Sequence, residues 1–315
     1  RSYSVTGVQT CALPISIQRM GMWRHAITFD RNRHPDNYYK LKYVDKGLTE
    51  IKSFITGQNR FKWEEDALNS IYREIDDIGP FLKQYVSDHA NKQVVYFPNI
   101  GNAGDSLIAQ ATVEIFDSQG IVYRIGKKDQ TYENSILIYG GGGNFVRPYT
   151  DCKNFLTKHL TNGSKGNKLL ILPHTIRDYD EVIRKCDDNV TIICREKVSY
   201  DYCFKLMTYK SRLYLSKDMA LYLRPDVSTN TNTNKTLNAY RTDCEKTNIK
   251  IPADNVDVSL KFQDCGFMTN LSIAKTTTDK VFAYLAAYDV IKTNRLHIAI
   301  RSEERRVGKE CRSRW

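Results

Sequence analysis

An α/β fold built on a doubly wound parallel sheet is the class that this sequence predicts. After Lys92, short apolar runs alternate with longer amphipathic segments, the pattern of successive strand–helix–strand units. The runs are apolar throughout, as expected of strands that are covered on both faces. Several lead directly into glycine-rich or charged loops. These features indicate a Rossmann-like fold, with predicted strands at 94–97, 121–124, 136–139, 169–172, 191–194 and 213–215.

The chain before Lys92 is predicted to be helical. Apolar residues recur there near helical spacing, as at Ile75 and Ile78. Gly79 and Pro80 are predicted to break this helix, and a second helix follows them.

Three segments follow from these patterns. Residues 17–90 are expected to form a helical segment that packs on a first Rossmann-like domain at 91–225. Residues 226–300 are expected to begin a second Rossmann-like domain, with a strand at 290–293 and a helix from Leu296. That second domain is predicted to be incomplete, because a doubly wound half needs more strands and helices than the chain provides before Arg301.

Both ends of the chain resemble translated sequencing adapters. Residues 1–16 contain VTGVQTCALPI, and residues 301–315 read RSEERRVGKECRSRW. We interpret both ends as artefacts and set them aside. The full chain has 47 Lys and Arg against 36 Asp and Glu, a net charge of +11. The remainder carries +7, because residues 301–315 contribute +3 and Arg1 contributes +1.

Composition narrows the class of protein. No apolar run reaches the ~18 residues that span a bilayer, so we expect neither a membrane span nor a signal peptide. The cysteines outside the ends form no CxxC pair and no zinc-ligand spacing with His, which favours reduced cytosolic thiols and no metal site. The basic charge suits an anionic substrate, and peripheral membrane contact is left open. No Arg-rich run or basic–aromatic interleaving supports nucleic-acid binding.

The first candidate site is the loop at 99–106, which reads NIGNAGDS after a predicted strand. Its glycines permit a tight turn, and the next helix points its N-terminal amides at the loop, which favours an anion. Ligands of open α/β sheets bind at the carboxyl ends of strands, where this loop lies. A helix cap formed by Asp105 or Ser106 is the simpler alternative. The loop matches no nucleotide-binding motif.

The second candidate site is a run of four glycines that ends in Asn144. Each glycine costs about 0.5–1 kcal/mol relative to alanine in ordered structure. A plain turn needs fewer, so we expect something to approach the backbone closely around Gly141 and Gly142. A flexible turn is the alternative.

Charged side chains follow two further predicted strands. His174 and Arg177 come after one strand, and Arg195 comes after the next. A strand-end arginine suits bidentate binding of a carboxylate or phosphate. A packed, structural His174 and a surface pair between Arg195 and Glu196 are the alternatives.

Arg295, Leu296 and His297 lie at a predicted strand-to-helix junction. They place an anion-binding guanidinium beside an imidazole that titrates near neutrality. From the local pattern alone, the simpler interpretation is preferred: a surface arginine next to a histidine that begins a helix.

The order of these motifs resembles the polysaccharide pyruvyl transferase family. The series is GNAGDS, GGGGN, LPHTIRD, CREKVS, SKDMALYL and TNRLHIAI, and the similarity extends from about residue 94 to 300. The resemblance implies a GT-B-like architecture of two Rossmann-like halves, of which the second is truncated here. It assigns His297 and Asp105 to catalysis. Donor binding is assigned to Arg195, Arg295, Leu296, Gly141, Gly142, Asn144, His174 and Arg177.

The family's chemistry is implied in the same way. Phosphoenolpyruvate would be the donor and co-substrate, with no other cofactor and no metal. The acceptor would be a hexose of a cell-surface polysaccharide or of its lipid-linked precursor. We expect a cytoplasmic protein, with the inner face of the membrane as an open location.

Two departures from the family pattern are noted. The family continues past the motif that contains His297, so we expect poor folding over residues 282–300 and no activity from the chain as written. Residues 230–264 match no family motif. The competing interpretations are a GT-B glycosyltransferase that uses a nucleotide sugar and a non-catalytic interaction protein.

Overall fold

A computed structural model describes residues 72–99, 101–161, 165–223, 235–246 and 248–300. The described residues from Arg73 onward belong to one compact unit. The helix expected before residue 72 lies outside the described residues, as do residues 224–234.

A parallel sheet forms the centre of the fold. In the described part of the chain it has seven strands in the order β2-β1-β3-β5-β6-β7, and β4 pairs with β5 beyond the end of β3. The order reverses between β1 and β3, which makes this the switch point where ligands bind in open α/β sheets. The strands are β1 Gln93–Phe97, β2 Tyr123–Ile125, β3 Ser135–Tyr139, β4 Gly142–Phe145, β5 Lys168–Ile176, β6 Val190–Cys194 and β7 Leu213–Leu215.

Helices connect the strands and cover the sheet, which confirms the predicted α/β class. The helices are α1 Ile78–Ser87, α2 Ala103–Gln119, α3 Asp151–Thr161, α4 Asp180–Ile183, α5 Lys197–Leu206, α6 Val258–Lys261 and α7 Ser272–Ala286. In the described part of the chain, short 3₁₀ helices span Lys210–Arg212, Met219–Tyr222 and Cys265–Met268. None of the helices within the described ranges is long and apolar enough to cross a membrane.

The predicted helix through Ile75 is wrong where the structure describes it. The backbone is extended there and pairs with β7, since the Leu215 carbonyl accepts from the Ile75 amide at 2.8 Å. Helix α1 begins later, with Asp77 as its N-cap accepting from the Gly79 amide at 3.0 Å. Pro80 therefore lies in the first turn of α1 and does not separate two helices, because a helix needs no hydrogen bond from its first amides.

The chain after residue 235 packs against the first sheet's α2 helix. Two parallel strands, β8 Thr236–Ala239 and β9 Val290–Thr293, form a small second sheet. Leu237 of β8 and Val281 of α7 are buried in the same apolar core as Leu107 of α2. This packing brings the start of the helix at 296–300 to the N-terminus of α2.

Residues 282–300 contain the end of α7, β9 and that helix, with Ile298 fully buried. The expected poor folding of this stretch concerns its stability, and it stays a prediction that hydrogen exchange can test. The division into domains at residue 226 also stays a prediction.

Candidate active site

The N-terminus of α2 carries a capping box. The Asn102 side chain accepts from the Gly104 amide at 2.8 Å, and Asp105 Oδ2 accepts from the Asn102 amide at 2.8 Å. Gly101 is required beside them, because a Cβ there would lie 1.8 Å from Asp105 Oδ2. A helix cap is thus present, as the simpler alternative had it, but its N-cap is Asn102. Asp105 takes part from the third helical position, whereas the Ser106 side chain makes no capping bond.

Asp105 is also an unusual acid. Its Oδ1 accepts from Asn99 Nδ2 at 3.2 Å. Burial raises the pKa of Asp105 to about 6, although the charges of His297 and Arg195 and the bond from Asn102 oppose this rise. The same residue therefore caps a helix and titrates close to neutral pH.

Asn99 joins the first loop to the glycine loop. Tyr139 donates its hydroxyl to Asn99 Oδ1 at 3.1 Å, and Asn144 donates its amide to the same oxygen. Behind them, His174 Nε2 lies 3.0 Å from Asn144 Oδ1. His174 is 0% exposed, and burial, reinforced by Arg195, lowers its pKa to about 3. A neutral His174 therefore donates from Nε2 and orients Asn144. This matches the alternative in which His174 is a packed, structural residue.

The protein's own chain crowds the glycine loop. A Cβ added at its first three positions would meet atoms of Asn99 or Pro173 at 2.7, 2.8 and 2.2 Å. Gly142 also has a φ of +150°, which other residues rarely adopt. At Gly143 the nearest atom is NH2 of Arg195, 3.1 Å from the Cβ position. The close approach expected here thus comes from neighbouring residues. Among them are two functional candidates, Asp105 near Gly142 and Arg195 near Gly143.

Arg195 leaves one donor nitrogen available. Its Nε donates to Thr175 Oγ1 at 2.7 Å, and its NH1 donates to Asp218 Oδ2 at 2.8 Å. NH2, beside Gly143, has no hydrogen-bond partner among the residues that the structure describes. The side chain is 9% exposed. The alternative pairing with Glu196 is not found, since Glu196 instead caps α5.

His297 shares a carboxylate with Arg195. Its Nε2 lies 3.5 Å from Asp218 Oδ2, an ion-pair distance rather than a good hydrogen bond. The other ring nitrogen lies against the start of α2, because a Cβ on Gly104 would be 2.4 Å from His297 Nδ1. Burial disfavours the charged form of Asp218, but His297 and Arg195 outweigh this and hold its pKa well below its usual value. Asp218 is therefore ionised between the guanidinium of Arg195 and the imidazole of His297.

The remaining predicted site residues lie apart from this group. Arg295 forms a bidentate pair with Asp257 at 2.9 and 2.6 Å, and its NH2 lies 2.9 Å from Asp243. Arg177 donates to Glu196 at 3.1 Å and to Ser199 at 2.6 Å.

The roles of these two arginines and of Leu296 in donor binding stay predictions. In this structure Arg295 is 4% exposed and bound to acids. Leu296 follows it at the start of the helix at 296–300 and is partly buried. No group of three or more His, Cys, Asp or Glu side chains in the described ranges is placed to hold a metal ion.

Sequence reasoning assigned no role to Asp218 or Thr175, and it included Asn99 only as the first residue of the candidate loop at 99–106. Asp218 stands in the motif SKDMALYL, whose match to the family was a usable signal. Asn99 and Thr175 follow predicted strands, but nothing in their local pattern separates them from other polar loop residues.

Comparison with known proteins identifies the family of this chain. The family model for polysaccharide pyruvyl transferase matches residues 102–303. Among solved structures, a functionally uncharacterised protein from Klebsiella pneumoniae subsp. pneumoniae superposes with a TM-score of 0.62 and 28% identity, over 73% of this chain and 86% of that one. No curated protein matches the chain significantly. Because the family model covers more than half of the sequence and all the residues gathered around Arg195, the chain belongs to the polysaccharide pyruvyl transferase family.

Proposed function

We propose that this protein transfers the pyruvyl group of phosphoenolpyruvate to two hydroxyls of one hexose and forms a cyclic ketal. Family membership implies a polysaccharide pyruvyl transferase. The observation that carries the donor assignment is the group formed by Arg195, Asp218 and His297 at the N-terminus of α2.

Arg195 is the proposed donor anchor. Phosphoenolpyruvate carries a carboxylate and a phosphate, and the available NH2 of Arg195 suits either anion. The N-terminal amides of α2 add a second source of positive potential next to His297. Thr175 and Asp218 hold the guanidinium in place, so little ordering of the side chain is needed when the donor binds.

The reaction needs one group that can give and take a proton. Protonation of the methylene carbon of the donor creates an oxocarbenium-like centre at C2, which one sugar hydroxyl attacks. The C2–O bond to phosphate then breaks, and the second hydroxyl closes the ketal. One hydroxyl proton ends on the new methyl group and the other on the released phosphate, so the balance needs no redox cofactor.

His297 is the proposed acid and base. Its ring is held between the backbone of Gly104 and the carboxylate of Asp218, which is ionised and stabilises an imidazolium. Asp105, with a pKa raised to about 6 by burial, is a second group able to exchange a proton near neutral pH. We propose that His297 acts on the donor carbon and that Asp105 serves the acceptor side.

The proposed acceptor is a hexose of a cell-surface polysaccharide or of a lipid-linked precursor. The proposed site of action is the cytoplasm or the inner face of the membrane, where phosphoenolpyruvate is available. No metal is required by this chemistry.

The test is acceptor-dependent release of phosphate from phosphoenolpyruvate. A panel of galactosyl, glucosyl and mannosyl acceptors is assayed with the wild type and with Arg195→Gln. Arg184→Gln is the matched control, because Arg184 is a surface arginine with a 60% exposed side chain. We expect release that depends on one acceptor and is lost only in Arg195→Gln.

Silence with every acceptor, together with binding of a nucleotide sugar, would overturn the proposal in favour of a glycosyltransferase. Silence without any such binding would contradict the expected turnover and calls for a separate test of the donor site. In that case phosphoenolpyruvate binding by calorimetry, compared between the same two variants, tests the donor site by itself.

A further inference from the structure

A cavity of about 510 Å³ lies beside the candidate active site, at the carboxyl ends of β1, β2 and β3. Its volume falls within the range of roughly 300–1,000 Å³ that is typical of small-molecule sites. It belongs to none of the functions assigned above. Its lining divides into an aromatic part and a cationic part.

The aromatic part is a cluster of rings around Phe155. The ring centroid of Phe155 lies 5.1 Å from that of Phe97 and 4.8 Å from that of Tyr139. His159 adds a fourth ring, 4.8 Å from Phe155, and burial together with Lys158 lowers its pKa to about 4. His159 is therefore neutral, and the wall presents ring faces to a ligand rather than charge. Sugar rings pack well on such faces through their C–H groups.

The cationic part consists of Lys127, Lys128 and Lys158. Asp151 is the one acid among the described residues of the lining, and it lies 3.4 Å from Lys128. The ammonium of Lys127 has no ion-pair partner within the part of the chain that the structure describes. Three lysines against one acid give the cavity a positive balance, which suits a phosphate.

The cavity shares a wall with the active site. Tyr139 lines it with its ring, while its hydroxyl donates to Asn99 Oδ1 at 3.1 Å. Asn99 in turn donates to Asp105 at 3.2 Å. A ligand in the cavity would therefore lie one residue layer from the carboxyl that is proposed to serve the acceptor.

We propose that this cavity binds the acceptor as a glycosyl phosphate, with the hexose ring against Phe97, Phe155 and Tyr139 and the phosphate at the three lysines. This inference rests on the proposed function, because it supplies the second substrate of that reaction. The shared chemistry is a hexosyl phosphate or diphosphate, whether its other end carries a prenyl lipid or a nucleoside.

The test measures binding rather than turnover, with the full chain and four probes. The probes are a hexosyl diphosphate with a short prenyl tail, the matching uridine diphosphate hexose, the uncharged methyl hexoside and inorganic pyrophosphate. Each is titrated by calorimetry into wild type, Lys127→Gln and Lys83→Gln. Lys83 is the matched control, because it lines a separate cavity of about 470 Å³ at the amino ends of β1 and β2.

We expect a hexosyl diphosphate to bind the wild type and Lys83→Gln equally. Lys127→Gln should weaken this binding about 10- to 100-fold, because one charged hydrogen bond is lost. The methyl hexoside and pyrophosphate should bind more weakly than the hexosyl diphosphate, since each lacks half of the recognised group. The prenyl and uridine probes distinguish a lipid-linked from a nucleotide-linked acceptor.

A second variant tests the sugar part without changing charge. Asn154 is exposed on α3 and lines the cavity, so Asn154→Trp should fill the space and reduce hexosyl diphosphate binding about tenfold or more. Equal binding of the diphosphate probes to wild type, Lys127→Gln and Asn154→Trp would overturn the inference. So would equal affinity for hexosyl diphosphate and pyrophosphate.

Phosphoenolpyruvate binding is measured in the same variants. It should be unchanged in Lys127→Gln and weakened in Arg195→Gln. A wild type that binds phosphoenolpyruvate but no hexosyl diphosphate would count against the cavity, whereas failure of phosphoenolpyruvate to bind the wild type would count against the proposed function.

Discussion

Two buried arginines, Arg195 and Arg295, each follow the end of a parallel strand and contact aspartates, yet their surroundings differ. Arg295 is held by both oxygens of Asp257 and by Asp243. Arg195 contacts one oxygen of Asp218 and one hydroxyl, and its NH2 has no bond within the described residues. The two side chains are similarly exposed, 5% for Arg295 and 9% for Arg195. Burial therefore does not distinguish them, and each has two bonded nitrogens. The difference lies in the partners: Arg295 makes three contacts to carboxylate oxygens, whereas Arg195 makes one and also binds a hydroxyl.

The acids around the two arginines differ as well. In the Arg295 cluster, burial alone would raise the pKa of Asp243, but Arg241 and Arg295 lower it below its usual value. The Arg195 group includes Asp105, whose pKa is raised to about 6 by burial. In the Arg295 cluster the guanidinium is paired with two aspartates, an arrangement that stabilises the fold. A cluster with one available donor and one acid near neutrality is suited to binding and proton transfer.

Replacing Arg295 should have the largest effect on stability. Arg295→Met leaves Asp257, with a 6% exposed side chain, without its bidentate partner. We expect the free energy of unfolding to fall by about 3–5 kcal/mol. Urea unfolding measures it, with the surface variant Arg184→Met as control. A loss of stability below about 1 kcal/mol would contradict the structural role assigned to Arg295.

Replacing Arg195 by lysine should affect activity more than stability. Arg195→Lys keeps a charge near Asp218 but loses the planar fork and its free nitrogen. We expect kcat/KM for phosphoenolpyruvate to fall about 10²–10³-fold, while unfolding changes by about 1 kcal/mol. Steady-state phosphate release and urea unfolding give the two numbers. The reverse pattern, a large loss of stability with normal kinetics, would place Arg195 in the same class as Arg295.

The raised pKa of Asp105 predicts that folding stability depends on pH near this residue, an effect that the Arg295 cluster does not share. Its pKa rises from 3.8 to about 6 on folding, so the folded state binds more protons than the unfolded state within that window. Its contribution to stability is therefore largest below pH 4 and is lost as the pH rises to about 6, a change of roughly 3 kcal/mol.

The measurement is unfolding of the wild type and Asp105→Asn at several pH values. Between pH 4 and pH 6 the stability of the variant should rise by about 3 kcal/mol relative to the wild type. A constant difference across this range would show that Asp105 keeps an ordinary pKa, and its proposed role in proton transfer would then fail.

The smallest expected effect concerns the space beside NH2 of Arg195. In Gly143→Ala the new Cβ would lie 3.1 Å from that nitrogen, so the guanidinium has to shift by a few tenths of an ångström. We expect KM for phosphoenolpyruvate to rise about fivefold, equivalent to ~1 kcal/mol, with little change in stability. The matched variant Gly142→Ala should instead destabilise the fold by about 1–3 kcal/mol, because its φ is +150° and Asn99 blocks its Cβ. Equal behaviour of the two variants would contradict this assignment.

Strand positions in the described part of the chain were largely predictable, whereas side-chain partners were not. The runs at 94–97 and 136–139 became β1 and β3, because apolar runs of this length are buried on both faces only as central strands. The helical spacing through Ile75 failed, since pairing with β7 satisfied its backbone instead. The glycine run was recognised as special, but the atoms that crowd it belong to Asn99, Pro173 and Arg195, which lie far from it along the chain.

The sequence by itself determined the class of fold, the strands and the loops that meet at one edge of the sheet. It could do so because strand burial and backbone hydrogen bonding follow from local apolar patterns and from glycine and proline positions. The tertiary structure decided which charged groups act together. Asp218 lies 23 residues from Arg195, and Asp257 lies 38 residues from Arg295. Such pairings depend on how whole helices and strands pack, and that packing gave Arg295 three carboxylate contacts and Arg195 only one.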